Sequence, residues 1–291
     1  MLADNPLSRA QARRGAGETS AELPVTPETL VDKPLWRHDA PHHGVAGAPD
    51  LPLPGWYLTV KVGLEYVIAL ALLVLTAPLI LATAMLVKLT SPGPAFYAQV
   101  RLGRRGRTFR LYKIRTMLHD AEKLSGPRWA SPDDPRITPV GRFLRHTHLD
   151  ELPQLWNVLC GEMSLVGPRP ERPELVPALE QAIPHYEDRL CVRPGVTGLA
   201  QVQLPADTDL ASVRRKLAYD LYYVHHMGLW LDLRLMLCTG VRMFGVPFHT
   251  LCRLFGLPRG GQVERHYEAR RTAAAALAAR EPRPCPDPGA A

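Results

Sequence analysis

Residues 66–87 read YVIALALLVLTAPLILATAMLV, a run of 22 residues without a charged side chain between Glu65 and Lys88. As a helix this run is about 33 Å long, close to the roughly 30 Å hydrocarbon core of a bilayer. The alternative is a buried helix of a soluble protein, but unbroken hydrophobicity over this length favours the membrane. We therefore predict a membrane-inserted helix over residues 56–89.

Pro78 lies near the middle of this run, two residues after Thr76. Proline removes one backbone hydrogen bond and bends a helix. The bent helix can cross the bilayer, or turn back and leave both ends on one face if the freed carbonyls are satisfied, for example by the Thr76 hydroxyl. Basic residues after the run indicate a cytoplasmic C-terminal side, whereas the mixed charges of the N-terminal tail decide little. Composition alone favours a single span with the N-terminus outside.

The chain has 291 residues and a formal charge of +7, which favours anionic ligands or surfaces. Its five cysteines form no CxxC pair and have no metal-like spacing with histidine, so they indicate free thiols in a reducing compartment. The sequence predicts four regions: a Pro-rich disordered tail over 1–55, the membrane helix over 56–89, a cytosolic domain over 90–247, and a basic, Ala-rich arm with a disordered tail over 248–291.

Within the cytosolic domain, short strands are expected around 95–101 and 108–115, and a helix from Met117. Further helices are expected over 139–146, 149–160, 173–190, 208–226 and 228–245. The fold class is therefore α+β and mostly helical. The last helix, with Trp230 and Asp232 among its polar or interfacial points, packs in the core or lies in the membrane interface, and the sequence leaves both open.

Seven Lys or Arg residues occur between 101 and 115, and residues 100–119 contain no Asp or Glu. Attraction to anionic headgroups explains most of them. Lys113 and Arg115 alternate with apolar or aromatic residues in an extended run, so both are expected on one strand face as a phosphate clamp. Nucleic acid is a weaker candidate because no nucleic-acid module is recognisable and the basic stretch adjoins the membrane segment.

Asp150 and Glu151 are adjacent in THLDELPQLWNV, residues 147–158. The simplest interpretation is an ordinary helix start capped by Thr147 or His148, where acids favour the positive end of the dipole. Neighbouring residues diverge by about 100° on a helix, however, so the two carboxylates would have different roles. Arg142 and Arg145, just upstream, would keep them ionised and bind phosphate.

Two Pro/Gly turns downstream each hold an arginine. Gly167–Pro170 is GPRP around Arg169, and residues 193–195 are RPG with Arg193. Prolines restrict the backbone and so pre-position the arginine, which a merely solvated side chain does not require.

Together these segments resemble the bacterial sugar transferases, the monotopic polyprenyl-phosphate phosphoglycosyltransferases. The matching blocks occur in family order over about 61–247: SPGPAFYAQVRLGRRGRTFRLYKIRTM, DDPRITPVGRFLR, LDELPQLWNVLCGEMSLVGPRP, RPGVTGLAQV and KLAYDLYYV with LWLDLRLML. KIRTM replaces the commoner KFRSM. After AQV the usual Asn-Gly-Arg run is replaced by residues 203–207, QLPAD, so the loop lacks the arginine and the flexible glycine through which the family would contact the donor.

The resemblance implies transfer of a sugar 1-phosphate from a nucleoside diphosphate sugar, with UDP expected, to polyprenyl (undecaprenyl) phosphate, which starts lipid-linked glycan or exopolysaccharide synthesis. It implies Asp150 as nucleophile of an aspartyl phosphosugar intermediate, Glu151 as its partner, and Mg²⁺ held by Asp150. We place the expected phosphate contacts at Lys113, Arg115, Arg145, Arg169 and Arg193.

The resemblance also implies a monotopic protein whose hydrophobic helix is broken at Thr76 and Pro78 and is re-entrant, with the catalytic domain on the cytoplasmic face of the inner membrane. Membrane lipids and downstream glycosyltransferases are expected partners, and nucleic acid is not. The alternative function is a non-catalytic, membrane-anchored basic protein that binds anionic lipid or a phosphorylated partner.

Overall fold

A computed structural model describes residues 55–119, 121, 134–205, 207, 209–242 and 245–278. Within these ranges the chain forms nine α-helices, four short β-strands and three 3₁₀ turns. The expectation of a mostly helical α+β protein is therefore confirmed. The predicted disordered tails lie outside the described residues, apart from Gly55 at the end of the first.

The first helix, α1, spans Gly55–Thr90 and contains the predicted membrane segment. In the described part of the chain it is the one helix that is long and apolar enough to cross a membrane. Only 22% of its most apolar stretch is buried against the rest of the protein, unlike the core helix of a soluble protein. Leu75 and Leu81, for example, are 76% and 67% exposed. Such a surface is stable only in apolar surroundings, which a bilayer provides.

Pro78 lies inside α1, and the helix continues on both sides of it. Because proline has no N–H, the carbonyl of Val74 loses its helical donor. The Thr76 hydroxyl donates to the carbonyl of Leu72 at 2.7 Å. The predicted role of Thr76 is therefore not seen, because its hydroxyl adds a bond to the preceding turn instead.

Both ends of α1 bury side chains against the globular part of the protein, whereas its middle packs there only through partly buried residues such as Leu73. No residue from 70 to 79 is buried. Near the C-terminal end, Val87 packs with Ile114 and Leu144 in a small apolar cluster. The buried residues of the two ends are Tyr57, Lys61, Glu65 and Ala69, and then Ile80, Thr83, Ala84 and Val87.

A buried ionic network fixes the first end of α1 to helix α7, Leu229–Arg242. The Lys61 Nζ atom lies 2.8 Å from both Glu65 Oε1 and Asp232 Oδ2. The hydroxyls of Tyr57 and Tyr223 donate to the Asp232 carboxylate at 3.0 and 2.6 Å. Because each charge is paired and hydrogen-bonded, the group tolerates burial, whereas loss of one partner would leave the others uncompensated.

The predicted strands are observed as β1, Phe96–Leu102, and β2, Thr108–Ile114, which form an antiparallel hairpin. Two further strands, β3, Ser164–Val166, and β4, Gly195–Thr197, pair in parallel. The helix expected from Met117 is wrong for residues 117–119, because Met117 forms an isolated bridge with Ile137. The following residues of that prediction lie largely outside the described ranges.

Three predicted helices are confirmed as α2, Pro139–Thr147, α6, Leu210–His226, and α7. Two others are divided. The segment 149–160 becomes a 3₁₀ turn, Leu149–Glu151, and α3, Gln154–Leu159. The segment 173–190 becomes α4, Val176–Ala182, and a 3₁₀ turn, Tyr186–Cys191. The remaining helices are α5, Leu199–Gln203, α8, Phe248–Leu254, and α9, Gly260–Ala278.

The sequence left open whether α7 packs in the core or lies at a membrane interface, and the helix has one face suited to each. Its inner face is buried and includes Leu235 and Cys238, each fully inaccessible. Its outer face exposes Trp230, Leu233 and Leu237. Asp232 belongs to the buried face rather than to an interface, since it pairs with Lys61.

A second buried charge cluster surrounds Glu171, just after the GPRP turn. Lys216 of α6 lies 3.2 Å from the Glu171 carboxylate, and Arg101 of β1 and Arg189 lie 3.7 and 3.9 Å away. Lys216 also pairs with Asp207 at 2.6 Å. The cluster therefore joins the hairpin, α6 and the chain that follows the GPRP turn.

The pKa of Glu171 gives this cluster a measurable signature. Burial raises the pKa, but Lys216, Arg189 and Arg101 outweigh it and bring the pKa from 4.5 to about 2. Because the folded pKa is the lower one, the stabilisation is present above pH 4.5 and is lost as the pH falls towards 2. Its size is roughly 3 kcal/mol.

We therefore expect the wild type to lose its stability advantage over Glu171→Gln as the pH falls from 4.5 to 2, measured by chemical unfolding in detergent micelles. Glu264→Gln, at an exposed glutamate of α9, is the control and should follow the wild type. A wild-type advantage that stays constant over this range would contradict the assignment.

Candidate active site

The acidic pair lies on a tight turn immediately after α2. Helix α2 begins at Pro139, with Thr138 accepting a hydrogen bond from Gly141 N at 2.9 Å, and ends at Thr147. His148 then adopts a left-handed conformation with φ of 56°, which reverses the chain into the 3₁₀ turn. Neither Thr147 nor His148 caps this turn with its side chain, so the predicted cap is wrong. The Thr147 hydroxyl donates back to Phe143 O instead.

Asn157 of α3 holds the turn beside strand β2. Its side chain accepts from Tyr112 N at 3.2 Å and donates to Arg110 O at 2.7 Å. The side chain is fully buried and so completes the backbone hydrogen bonding of β2 on this side. The start of α3 is thereby fixed against the strand that carries Lys113.

Helix α2 is held against the chain that follows β2 by direct backbone contact. A Cβ at Gly141 would lie 1.9 Å from Thr116 O, so this approach requires glycine. Four residues later, Arg145 Nε donates to the Thr116 hydroxyl at 2.9 Å. This bond fixes the Arg145 side chain, whose positive charge acts on Asp150 of the 3₁₀ turn.

Glu151 accepts hydrogen bonds from two cations on the same oxygen. Lys113 Nζ lies 2.6 Å and Arg169 Nη2 2.8 Å from Glu151 Oε1. Burial raises the pKa of Glu151, but the two cations outweigh it and hold the pKa well below its usual range. The structure thus brings Lys113 and Arg169 together at the acidic pair.

The two Pro/Gly turns support each other through strands β3 and β4. Gly167 N donates to Thr197 O at 2.9 Å, and Gly195 N donates to Pro168 O at 2.8 Å. A Cβ on Gly195 would lie 2.1 Å from Gly167 N, so only glycine permits the contact. The backbone around Arg169 is therefore fixed by the turn that contains Arg193.

Two of the predicted phosphate contacts, Arg115 and Arg193, make no hydrogen bond to the acidic pair within the described residues. The Arg115 guanidinium donates to Ser91 O at 2.9 Å and also to Pro92 O, because β2 ends at Ile114 and strand alternation no longer applies. It therefore clamps the turn after α1, and the predicted pairing with Lys113 is not seen. Arg193 Nη2 lies beside Gly161, and within the described ranges its guanidinium makes no hydrogen bond to Asp150 or Glu151.

Asp150 differs from its neighbour in having no partner. It is 6% exposed, and among the described residues no group donates a hydrogen bond to its carboxylate. Burial and the negative Glu151 raise its pKa to about 6, against the opposing effect of Lys113, Arg145 and Arg169. Arg145 therefore acts in the expected direction without outweighing burial, and Arg142 is exposed.

A cavity of about 390 Å³ opens beside the acidic pair, between the end of α2 and the chain after α7. Sequence reasoning missed this site. His148 was considered only as a cap, and Arg242 lies far away in the sequence. The cavity is lined by Arg145, His146, His148, Arg242, Gly245, Val246 and Pro247.

The residues present fit Mg²⁺ only if a single carboxylate holds it and the other ligands are waters and substrate phosphates. No cluster of three His, Cys, Asp or Glu side chains that could hold a metal occurs within the described residues. Glu151 already pairs with Lys113 and Arg169, so Asp150 is the carboxylate of the pair that can bind a metal ion. Mg²⁺ commonly keeps several waters and binds one or two carboxylates together with substrate phosphates. Asp150 would therefore hold the cation, which would supply positive charge for the substrate phosphates.

Comparison with known proteins places these residues in a family. The family model described as bacterial sugar transferase matches residues 56–245. A UDP-N-acetylgalactosamine-undecaprenyl-phosphate N-acetylgalactosaminephosphotransferase of Aeromonas hydrophila is 43% identical over 189 residues, covering 65% of this chain and 44% of that protein. A UDP-glucose:undecaprenyl-phosphate glucose-1-phosphate transferase of Caulobacter vibrioides is 44% identical over 194 residues, covering 66% and 72%.

A shorter relative has nearly the same extent as the matched region. The exopolysaccharide production protein PSS of Rhizobium leguminosarum bv. phaseoli is 41% identical over 189 residues, covering 63% of this chain and 94% of that protein. The chain spans less than half the length of several other relatives, including the Aeromonas protein. The family match includes α1, both cations at Glu151 and the two supporting turns, and the chain belongs to the bacterial sugar transferase family.

Proposed function

We propose that the protein transfers a sugar 1-phosphate from a UDP-sugar to undecaprenyl phosphate through an aspartyl phosphosugar intermediate. One observation carries the proposal: a buried carboxylate without a hydrogen-bond donor, Asp150, adjoins a carboxylate neutralised by two cations, Glu151. A merely structural acid would be expected to have a partner when buried. The relatives' names, which specify UDP-sugars and undecaprenyl phosphate, support the substrate class.

In the first step, an Asp150 oxygen attacks the phosphorus that carries the sugar. The bond from that phosphorus to the bridging oxygen breaks, and its electron pair leaves on the nucleoside monophosphate. A pKa of about 6 suits this role, because the carboxylate is mostly ionised at neutral pH and carries no hydrogen bond that must be broken.

The donor's negative charge must be neutralised before a carboxylate can approach it. Lys113 and Arg169 keep Glu151 from repelling the diphosphate, and Arg145 contributes positive charge near Asp150. Mg²⁺, when bound, would supply further neutralisation of the phosphates. Arg115 and Arg193 then support the site indirectly, through the turn after α1 and through the GPRP turn.

In the second step, a phosphate oxygen of undecaprenyl phosphate attacks the same phosphorus, and Asp150 leaves as a carboxylate. Two displacements avoid a direct encounter between two highly charged substrates, because each meets only the enzyme-bound group. The product is a lipid-linked sugar diphosphate. Its consumers would be downstream glycosyltransferases, and the name of the Rhizobium relative favours an exopolysaccharide.

The packing of α1 supports a re-entrant helix on the cytoplasmic face of the inner membrane. Lys61 and Val87, at opposite ends of the apolar stretch, both contact the globular part. Residues 70–79 between them are mostly exposed, with Leu73 partly buried against the core, and their apolar surface would insert into the bilayer. This arrangement brings the acidic pair to the headgroups, where a soluble donor and a lipid phosphate meet.

The rival function, a non-catalytic basic protein that binds anionic lipid, explains the surface charge equally well. It gives no reason for burying Asp150 without a partner, because an exposed basic surface suffices for headgroup binding. The acidic pair therefore favours the enzyme.

Replacing Asp150 by Asn tests the proposed chemistry. The amide has nearly the same volume but is a poor nucleophile, so we expect Asp150→Asn to remain folded and membrane-bound and to lose at least about 10³-fold of the activity. The assay follows lipid-linked product from a panel of radiolabelled UDP-sugars with Mg²⁺ and undecaprenyl phosphate. Asp188→Asn, at a partly exposed aspartate beside His185, should retain wild-type activity. Substantial activity of the Asp150→Asn protein would rule out the nucleophile.

Cysteine labelling tests the topology. Single cysteines at Trp56 and Leu89, which are 63% and 76% exposed at the two ends of α1, are introduced into a cysteine-free background. An impermeant maleimide added to intact cells should label neither position and should label both after permeabilisation. Labelling of the cysteine at position 56 in intact cells would indicate a full crossing.

A further inference from the structure

The cavity next to the acidic pair is continuous with the elements that carry the reaction. Arg145 belongs both to its wall and to the group of cations that act on Asp150. His148 lies two residues before Asp150 and lines the cavity. Its left-handed backbone leads directly into the 3₁₀ turn that contains the acidic pair. A ligand in the cavity would therefore extend directly from a phosphate held at Asp150.

The lining selects for anions. It contains two arginines and two histidines and no carboxylate. Arg242 Nη1 donates to Gln201 O and Val202 O at 3.2 and 2.5 Å, which fixes the guanidinium. Within the described residues its Nε and Nη2 atoms make no hydrogen bond, so they remain available to a phosphate. A pre-positioned guanidinium loses little freedom when it binds an oxyanion.

The size and the apolar side of the cavity indicate more than a lone phosphate. Its volume of about 390 Å³ is within the range of small-molecule sites, on the order of 300–1,000 Å³. Val246 and Pro247 add apolar surface to a lining that otherwise consists mainly of basic and imidazole side chains. A phosphate with an attached ribose and base would match this lining, because the phosphate needs the basic groups and the base can contact the apolar ones.

We propose that the cavity binds the nucleoside monophosphate part of the donor, with His148 and Arg242 as its phosphate contacts. This rests on the proposed function, in which the nucleoside monophosphate leaves when Asp150 attacks the sugar-bearing phosphorus. The breaking bond places its electron pair on the bridging oxygen, which becomes an oxygen of the departing phosphate. Because both residues line the cavity, the Arg242 guanidinium would supply positive charge and the His148 imidazole a hydrogen bond to that phosphate.

Equilibrium binding of UMP tests the assignment without any sugar transfer. The full-length protein in detergent with Mg²⁺ is titrated with UMP, and separately with inorganic phosphate, by calorimetry. We expect UMP to bind more tightly than phosphate, and His148→Asn and Arg242→Gln each to raise the Kd for UMP about tenfold. Asparagine tolerates the left-handed backbone of residue 148, so this variant removes the imidazole without straining the turn.

The chain offers a matched control for each variant. His185 has the same left-handed backbone, with φ of 62°, and lies outside the cavity lining. Arg234 is another α7 arginine, and its Nη1 atom likewise donates to two backbone carbonyls, those of Phe255 and Gly256. His185→Asn and Arg234→Gln should leave the Kd for UMP within about twofold of the wild type.

Three outcomes would overturn the assignment: no measurable binding of UMP to the wild type, phosphate binding as tightly as UMP, or unchanged affinity in folded His148→Asn and Arg242→Gln proteins. Because UMP binding requires neither acceptor nor nucleophile, it can fail while the Asp150 experiment succeeds. Loss of activity in all UDP-sugar assays with intact UMP binding would instead overturn the proposed function alone.

Discussion

The shared oxygen of Glu151 is the contact on which the site depends. Lys113 from β2 and Arg169 from the GPRP turn meet there at 2.6 and 2.8 Å, although they are far apart in the sequence. Each is fixed by its own support, Asn157 for the strand and the Gly167–Gly195 approach for the turn. Because both cations are committed to Glu151, Asp150 remains buried without a partner. Two adjacent carboxyls thereby acquire opposite shifts in pKa, one lowered by ion pairing and one raised by burial.

The long apolar helix α1 is integrated with this site rather than appended to it. Its first end is held by the Lys61, Glu65 and Asp232 network, which also reaches β3 through Ser164. Its second end leads into the turn clamped by Arg115 and packs beside α2. The two ends therefore support β3, which leads into the GPRP turn of Arg169, and α2, which carries Arg145. Loss of any one charge in the network would leave its partners buried and unpaired, which is a large penalty.

Local sequence patterns predicted many residues of the site but not the directions in which their side chains point. The acidic pair, the basic strand and the Pro/Gly turns were recognisable because each is encoded within a few residues. Arg115 and Arg193 were predicted as phosphate contacts and do not bind the acidic pair in the described residues, since strand alternation ends at Ile114 and a rigid turn does not determine where its side chain points. The partnership of Lys61 with Glu65 was accessible from their helical spacing, but that with Asp232 was not. His148 gave no signal because its role follows from a left-handed backbone between two short elements.

In the proposed mechanism, Asp150 itself takes up the phosphosugar before any acceptor is present. The most direct measurement is a single-turnover experiment with wild-type protein, Mg²⁺ and the UDP-sugar that the enzyme uses, without undecaprenyl phosphate. We expect a burst of UMP approaching one equivalent per active protein, with a matching mass increase on the peptide that contains Asp150. UMP release that requires the lipid acceptor, with no modified peptide, would indicate direct transfer and contradict the covalent mechanism.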